Sequence, residues 1–257
     1  MNNFKQTAIV AAQKSGKILI EKYKKFDRGS IKMKSAHEIV TANDLLSEKI
    51  IISEIKKNFK DHAIFSEEAG KNNFKSDYLW IIDPIDGTTN FSMHNPLWSI
   101  SIALAYKGKI ILGIVYAPIL GDLFYAKYGR GAYLNNKKIK VSNITSGKVL
   151  NTFCHGNTTK DIKRAIKYYT RQKLENLDCR QLGSAAIETS YVACGRIESI
   201  VIPGVNAYDV ASGVIIVREA GGKVTDFKGK EWNLNSSDII ASNGKVHNDI
   251  LKKVKNL

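Results

Sequence analysis

The stretch Asp83-Pro84-Ile85-Asp86-Gly87-Thr88-Thr89-Asn90-Phe91 concentrates residue types that bind hard cations and phosphate. Its two carboxylates stand three residues apart. Pro84 between them fixes φ and removes one backbone donor, so Asp83, the Ile85 carbonyl and Asp86 can aim at one point. Oxygen donors of this kind suit Mg²⁺. Gly87 and Thr88 follow directly and place a residue without a side chain, then a hydroxyl, where backbone N–H groups could meet a phosphate held by the same cations. Taken singly, each of these residues is also at home in a solvated turn. The apolar run Tyr78-Leu79-Trp80-Ile81-Ile82 leading into them reads as a strand that stops at Asp83.

Several other elements could carry side chains to the same place. Thr41-Ala42-Asn43-Asp44 has the Ser/Thr-x-x-acid form of a capping box, and Leu45, Ile52, Ile55 and Phe59 mark the inner face of the helix it opens. Helix capping alone explains Asp44. A short strand, Ala63 to Ser66, delivers Glu67 and Glu68, and adjacent side chains on extended backbone point to opposite faces, so at most one of them is a ligand. Gly183-Ser184 opens a helix that runs through Ala193 and closes at Gly195; its free N–H groups could meet a ligand, although a plain Gly-Ser cap accounts for it equally. Asp209 sits in the first turn of an apolar helix ended by Gly221-Gly222, where a helix-start carboxylate is ordinary.

The nine-residue string resembles the signature of the inositol monophosphatase family of Mg²⁺-dependent, Li⁺-sensitive phosphatases, in its bacterial extragenic-suppressor-like branch. Further segments are similar in family order over roughly residues 34 to 222. They are Val40-Thr41-Ala42-Asn43-Asp44, Phe65-Ser66-Glu67-Glu68-Ala69-Gly70, Leu182-Gly183-Ser184-Ala185-Ala186 and Tyr208-Asp209-Val210-Ala211-Ser212-Gly213. The resemblance implies that Glu67, Asp83, the Ile85 carbonyl, Asp86 and Asp209 hold two Mg²⁺ ions, or three with Asp44. It selects Glu67 over Glu68 as the ligand. It makes Glu67, Thr88 and Asp44 the catalytic set, with Thr88 and Asp44 positioning the attacking water. Gly87 and Thr88 would meet the phosphate, while Gly183, Ser184, Ala185, Asp209 and the wall at Ile202 would face the rest of the substrate. Two positions depart from the family pattern: Tyr208 replaces a Trp, and Ile202 replaces a Glu that in many members binds a sugar hydroxyl.

The implied fold is α+β, a layered αβαβα sugar-phosphatase architecture with an antiparallel sheet in the N-terminal half and a second, mixed sheet in the C-terminal half. The halves would be residues 1–146, carrying most metal ligands, and 147–257, carrying the substrate loop and the last Asp, packed as one unit. The implied reaction is hydrolysis of a small-molecule phosphate monoester such as inositol 1-phosphate, by a homodimer. Two alternatives lie in the same superfamily, a 3'(2'),5'-bisphosphate nucleotidase and a fructose-1,6-bisphosphatase. Another class is an RNA polymerase-associated antitermination or RNA-processing factor.

Composition bounds these readings. A chain of 257 residues with 44% hydrophobic and 25% charged content can bury a large core. Its longest mostly apolar run, Ile110 to Leu120, is broken by Gly113 and Pro118 and is too short to span a bilayer. No leader pattern opens the sequence, so a cytoplasmic enzyme without membrane contact is expected. Cys154, Cys179 and Cys194 are odd in number and far apart, which argues for reduced, structural thiols over zinc or a redox pair. The formal charge of +15 comes from lysines spread among Ile and Asn without a basic block, which describes a solvated surface better than a nucleic-acid groove.

The remaining chain reads as scaffold. Ile9, Ala12, Gly16, Leu19 and Tyr23 pattern an N-terminal helix, followed by a basic loop with Lys32 and Lys34. Antiparallel strands are expected from Trp98 to Tyr106, Lys109 to Ala117 and Asp122 to Ala126, with a tight turn at Asn135-Asn136. A basic amphipathic helix near Asp161 to Lys173 and strands near Cys179 to Leu182 and Ile197 to Ile202 complete the second half.

Overall fold

The computed structural model describes residues 4–35, 38–72, 75–145, 147–255 and 257. Its largest sheet is built around the strand that carries the acidic motif. In spatial order it contains β10 (Lys137–Ile139), β9 (Ala132–Leu134), β8 (Asp122–Lys127), β7 (Lys109–Ala117), β6 (Ser99–Tyr106), β5 (Tyr78–Asp86), β3 (Ala63–Ser66) and β4 (Gly70–Lys71). Neighbours are antiparallel except β3 and β5, which run parallel because the β3–β4 hairpin turns outward at the edge before the chain enters β5. The antiparallel sheet expected from sequence thus contains one parallel pair.

Strand β5 does not stop at Asp83. It continues to Asp86 through a one-residue irregularity, with Asp83 opposite Ser101 and Asp86 opposite Ser99, so two residues of β5 oppose one of β6. A bulge is where a strand tolerates a proline and re-aims its side chains. The Ser47 hydroxyl donates to the Pro84 carbonyl at 2.7 Å and the Ile85 N–H donates to Asp83 Oδ1 at 3.1 Å, so the bulged backbone keeps partners.

Helices α1 (Phe4–Lys24) and α2 (Ala42–Asn58) pack on one face of this sheet, and α6 (Ala207–Glu219) with α5 (Ala185–Ala193) on the other. The next layer is a five-stranded sheet in the order β12 (Asp178–Arg180), β11 (Leu150–Phe153), β13 (Ser199–Pro203), β15 (Asp238–Ser242), β14 (Lys223–Thr225). It is mixed, with β11 parallel to both its neighbours and the other pairs antiparallel. Helices α4 (Thr159–Leu174) and α7 (His247–Val254) close the outer face, completing the αβαβα order. The expected loop at Lys32 and Lys34 is a hairpin of β1 (Lys32–Ser35) and β2 (Glu38–Val40), since those backbones pair. A short α3 (Thr88–Ser92) follows the acidic motif. The strands of the large sheet end before residue 140 and those of the second begin after 149; Ser146, the last residue of the N-terminal half as divided from sequence, lies outside the described residues.

One apolar core lies between α1, α2 and the large sheet, including Leu19, Ile51, Trp80 and Ile100, and another lies between the two sheets around α5 and α6, including Ile81, Val115, Val210 and Ile239. The inner face of α2 differs from the expectation. Leu45 is 55% exposed, and the buried residues are Asp44, Ser47, Glu48, Ile51 and Ile55. The first turns of α2 face the acidic end of β5, so polar residues occupy the inner positions there and Leu45 is rotated outward. Across the sheet α6 approaches closely, since a Cβ on Gly113 would lie 2.5 Å from the Ser212 carbonyl oxygen.

His247 is fully buried, with Thr225 Oγ1 3.0 Å from Nε2 and Ser242 Oγ 2.8 Å from Nδ1. Burial, and secondarily the charge of Lys223, lowers its pKa to about 4. Because the folded pKa lies below the unfolded one, this residue's contribution is intact above about pH 6.5 and is lost as the pH falls toward the folded value, at most about 3 kcal/mol in all. Thermal melts of wild type and His247→Gln between pH 7 and 4 should therefore show a flatter acid limb in the variant, and parallel limbs would refute the assignment.

Candidate active site

The C-terminal end of β5 opens into a cavity of about 390 Å³ at the junction of the two sheets. Asp83, Ile85 and Asp86 enter it from the bulge, and Gly87 and Thr88 from the start of α3. Glu67 comes from the end of β3, where its N–H donates to the Ile82 carbonyl at 3.1 Å and fixes it beside β5. Asp209 comes from the first turn of α6, with its Oδ2 accepting from the Asn206 N–H at 2.8 Å. Gly183, Ala185 and Ile202 line the opposite wall. Glu68 is not part of the cavity wall, which agrees with alternation along extended backbone.

Two assigned residues stand just behind the cavity wall. Asp44 does not line the cavity; it is 1% exposed behind Thr88, whose Oγ1 lies 3.0 Å from both Asp44 Oδ1 and the Ile85 carbonyl oxygen. Its Oδ2 accepts from the N–H and hydroxyl of Thr41, at 2.8 and 2.7 Å, completing the capping box. The Ser184 side chain does not face the cavity either. It is buried, caps α5 through the Ile187 N–H at 3.3 Å, and donates its hydroxyl to Asp86. Asp86 also accepts from the Ser99 hydroxyl and from the N–H groups of Ala185 and Ala186, at 3.1, 3.0 and 3.1 Å. The start of α5 is thus tied to the carboxylate of β5.

Gly87 has φ +90°, and a Cβ there would lie 3.0 Å from the Gly183 carbonyl oxygen and 3.1 Å from that of Leu97. Glycine is required both for the left-handed backbone and for this approach. It brings the turn after β5 against the loop before α5, the two walls of the cavity.

The electrostatics are those of a site built for a cation. Burial first, then the charges of Glu67, Asp86, Asp209 and Asp44, push the Asp83 carboxyl well above the usual range. Burial raises Asp86 to about 6 against its four hydrogen-bond donors, and burial also dominates the upward shift of Asp44. Among the described residues no three His, Cys, Asp or Glu side chains are clustered tightly enough to hold a metal as they stand. The donor set nonetheless fits one chemically: several carboxylates in mutual repulsion, with no lysine or arginine among the described residues of the wall.

Residues given no role in the site from sequence also build it. Glu48 is buried and accepts from the Ser66 hydroxyl and, at 3.0 Å, from the Ala69 N–H, so it brackets Glu67 and Glu68. Asp44, Ser47 and Glu48 stand at helical spacing i, i+3 and i+4, a polar stripe that could have revealed this inner face. Asn90 Nδ2 donates to the carbonyls of Leu97 and Leu182, at 2.7 and 2.8 Å, and joins the two walls. His155, Asn157, Gln181 and Asn206 add a polar rim.

A layered α+β fold with a buried carboxylate cluster at a strand end, a facing helix start and an ordered hydroxyl defines a phosphoester-processing enzyme. Comparison with known proteins makes this specific. The description "Inositol monophosphatase family" matches residues 1–257. The "Nus factor SuhB" of Pasteurella multocida is 39% identical over 258 residues, covering 99% of this chain and 97% of its own. The "Fructose-1,6-bisphosphatase/inositol-1-monophosphatase" of Thermotoga maritima is 42% identical over 217 residues, covering 84% and 82%. Among solved structures, the IMPase of Thermotoga maritima superposes with a TM-score of 0.87 at 39% identity, covering 96% of this chain and 94% of its own. The extragenic suppressor protein suhB of Bartonella henselae gives 0.90 at 29%, covering 98% of each. The chain belongs to the inositol monophosphatase family, is a phosphatase, and falls in the branch that includes the SuhB proteins. Metal dependence is general to that family. Among the described residues no helix is long and apolar enough to cross a membrane.

Glu48 supplies a test of how the metal carboxylates are placed. Glu48→Ala frees the turn carrying Glu67, and changes behind metal ligands typically cost about 10–100-fold in metal affinity. The half-saturating concentration of divalent cation should rise by about that factor, measured by titration calorimetry; unchanged affinity in a folded variant would remove Glu48 from this role.

Proposed function

We propose that this protein hydrolyses a small phosphate monoester using Mg²⁺ held by Glu67, Asp83, the Ile85 carbonyl, Asp86 and Asp209 as two ions, with Asp44 assisting a third. The observation that carries the reading is the convergence of mutually repelling carboxylates, two of them buried, on a cavity whose described wall has no lysine or arginine. The missing positive charge is what divalent cations would supply, and they would also neutralise a phosphate and acidify water. The chain's residues then do the positioning. The Thr88 hydroxyl donates its one hydrogen bond to Asp44 Oδ1 or to the Ile85 carbonyl, each 3.0 Å away, which leaves its lone pairs available to accept from an attacking water. Gly87, in its left-handed conformation, lets backbone come close to a phosphate. Gly183 and Ala185 present backbone to the alcohol portion, while Ser184 serves the site through Asp86.

Ile202 supplies an apolar patch in the wall where a carboxylate would bind a substrate hydroxyl. A second phosphate would find no lysine or arginine among the described residues of the cavity, which favours a monoester over the bisphosphates of a nucleotidase or fructose bisphosphatase. In this reading the enzyme is a cytoplasmic homodimer and Li⁺-sensitive, as the family resemblance of its motifs implies.

A second role as a Nus factor is favoured by the name of the relative at 39% identity. Exposed Lys160, Lys163 and Lys167 on α4 offer a basic face for a polyanionic partner. Asp86→Asn separates the two roles, because it removes a metal carboxylate and leaves α4 untouched.

Two outcomes test the catalytic reading. Thr88→Ala should lower kcat on the order of a hundredfold with Mg²⁺ affinity unchanged, because it removes an orienting hydroxyl and no ligand. Loss of Mg²⁺ affinity with normal kcat at saturating metal would reject that assignment. A panel of phosphate esters assayed with Mg²⁺ and with chelator should show metal-dependent turnover in which inositol 1-phosphate is no better than glycerol 2-phosphate. Ile202→Glu should then raise the preference for inositol phosphate about tenfold or more, the worth of one charged hydrogen bond to a hydroxyl. Strong wild-type selectivity for inositol phosphate, unmoved by the substitution, would place the hydroxyl contact elsewhere.

A further inference from the structure

Glu188 is the least accessible carboxylate near the cavity and has no part in the chemistry above. It lies in the first turn of α5 with 0% exposure, yet it does not cap its own helix. Its Oε1 reaches back past the helix start and accepts from the N–H groups of Leu182 and Gly183, at 3.1 and 3.0 Å, and from the Cys154 thiol at 3.0 Å. Its Oε2 is buried without a hydrogen-bond partner. Burying a carboxylate with an unsatisfied oxygen is unfavourable, and an apolar side chain would fill the space at lower cost, so what requires explanation is the set of groups it holds.

Those groups belong to two walls of the cavity. Cys154 lines it at the start of the segment that also contributes His155, Gly156 and Asn157. Gly183 lines it on the loop before α5, where φ is +83°. The other side of that loop is held from β5 and α3: Asn90 donates to the Leu182 carbonyl, and Asp86 accepts from the Ala185 and Ala186 N–H groups. The Leu182–Ala186 segment therefore hangs between two carboxylates, one at the metal site and one buried on the far side.

We infer that Glu188 is a positioning residue for substrate binding: through Leu182, Gly183 and Cys154 it sets the distance between the substrate loop and the metal carboxylates, and so tunes affinity for the alcohol portion of the ester. The inference rests on the phosphatase reading and goes beyond it in naming what holds the substrate wall in place. Its position off the metal cage makes the effect separable. Loss of the acceptor should loosen the loop and weaken substrate binding, while chemistry at saturation and metal affinity are preserved. Burial raises the Glu188 pKa to about 7, opposed by hydrogen bonds from the Cys154 and Thr152 side chains and from the Gly183 and Leu182 N–H groups.

The test compares Glu188→Leu, which fills the volume without an acceptor, with Glu188→Gln, which keeps Oε1. In Glu188→Leu, KM for glycerol 2-phosphate should rise about tenfold, with kcat within threefold of wild type and the half-saturating Mg²⁺ concentration unchanged. Amide hydrogen exchange of Leu182 and Gly183, protected in wild type, should accelerate in the same variant, and Glu188→Gln should restore both KM and protection. Unchanged KM in folded Glu188→Leu, or raised KM with both amides still protected, overturns the inference. If Glu188→Leu does not fold, Glu188→Gln and wild type still decide it, since exposed Leu182 and Gly183 amides in wild type contradict the hydrogen bonds it rests on. Asp83→Asn assayed alongside separates this from the catalytic reading. Turnover lost there with KM unmoved at position 188 sinks only the inference, whereas no metal-dependent turnover in wild type sinks the reading and leaves amide exchange to decide whether Glu188 holds the loop.

Discussion

Asp83 and Asp86 are carried into the interior at the end of a strand whose preceding residues are mostly apolar, and much of the surrounding structure answers the cost of burying them together. Asp83 is 3% exposed and Asp86 5%. Burial raises the pKa of both carboxyls, and the charges of Glu67, Asp86, Asp209 and Asp44 add repulsion on Asp83. The fold offsets this with donors in place of cations. Hydroxyls from Ser99 and Ser184 and two N–H groups at the start of α5 converge on Asp86, and helix starts, with their positive dipole ends, hold Asp44 and Asp209. The remaining imbalance is what the proposed divalent cations would neutralise.

Three backbone features make that concentration of charge geometrically possible. The bulge in β5 turns two carboxylates toward one opening while Pro84 is spared a ladder hydrogen bond it could not make. Gly87 lets the following turn touch the loop before α5 without a side chain between them. Gly113 lets α6 settle onto β7, and the hydroxyls of Ser101 and Ser212 meet at 2.5 Å across the same interface. That packing fixes the helix that delivers Asp209. A residue far from the cavity thereby contributes to where the Asp209 carboxylate stands.

Charge is distributed at two scales. The chain as a whole is strongly basic at +15, yet the described wall of the cavity has no lysine or arginine. A positive exterior field favours the approach of an anionic ester, in a salt-dependent way, while the local negative potential reserves the interior for cations. In the proposed reading, substrate discrimination falls to neutral groups: the apolar surface of Ile202, the aromatic ring of Tyr208, which packs edge-on against Phe65 at 5.6 Å, and the amides of the rim.

The acidic motif, the capping box at Thr41, the placement of Glu67 over Glu68 at the end of β3 and the order of layers were legible in the sequence because each depends on local spacing or on resemblance carried by contiguous residues. Local rules are satisfied within a few residues: a Thr three before an Asp caps a helix wherever the helix lies, and alternation along a strand separates neighbouring glutamates. The sequence did not disclose which face of α2 is inner, because Leu45 obeys hydrophobic patterning and only the nearby end of β5 makes Asp44, Ser47 and Glu48 the better neighbours. Nor did it show that Ser184 serves Asp86 across 98 residues or that Glu188 reaches back to its own loop. Those roles were decided by tertiary structure alone, since a buried polar atom takes whichever partner the packed layers bring within hydrogen-bonding distance, and chain separation carries no information about that distance.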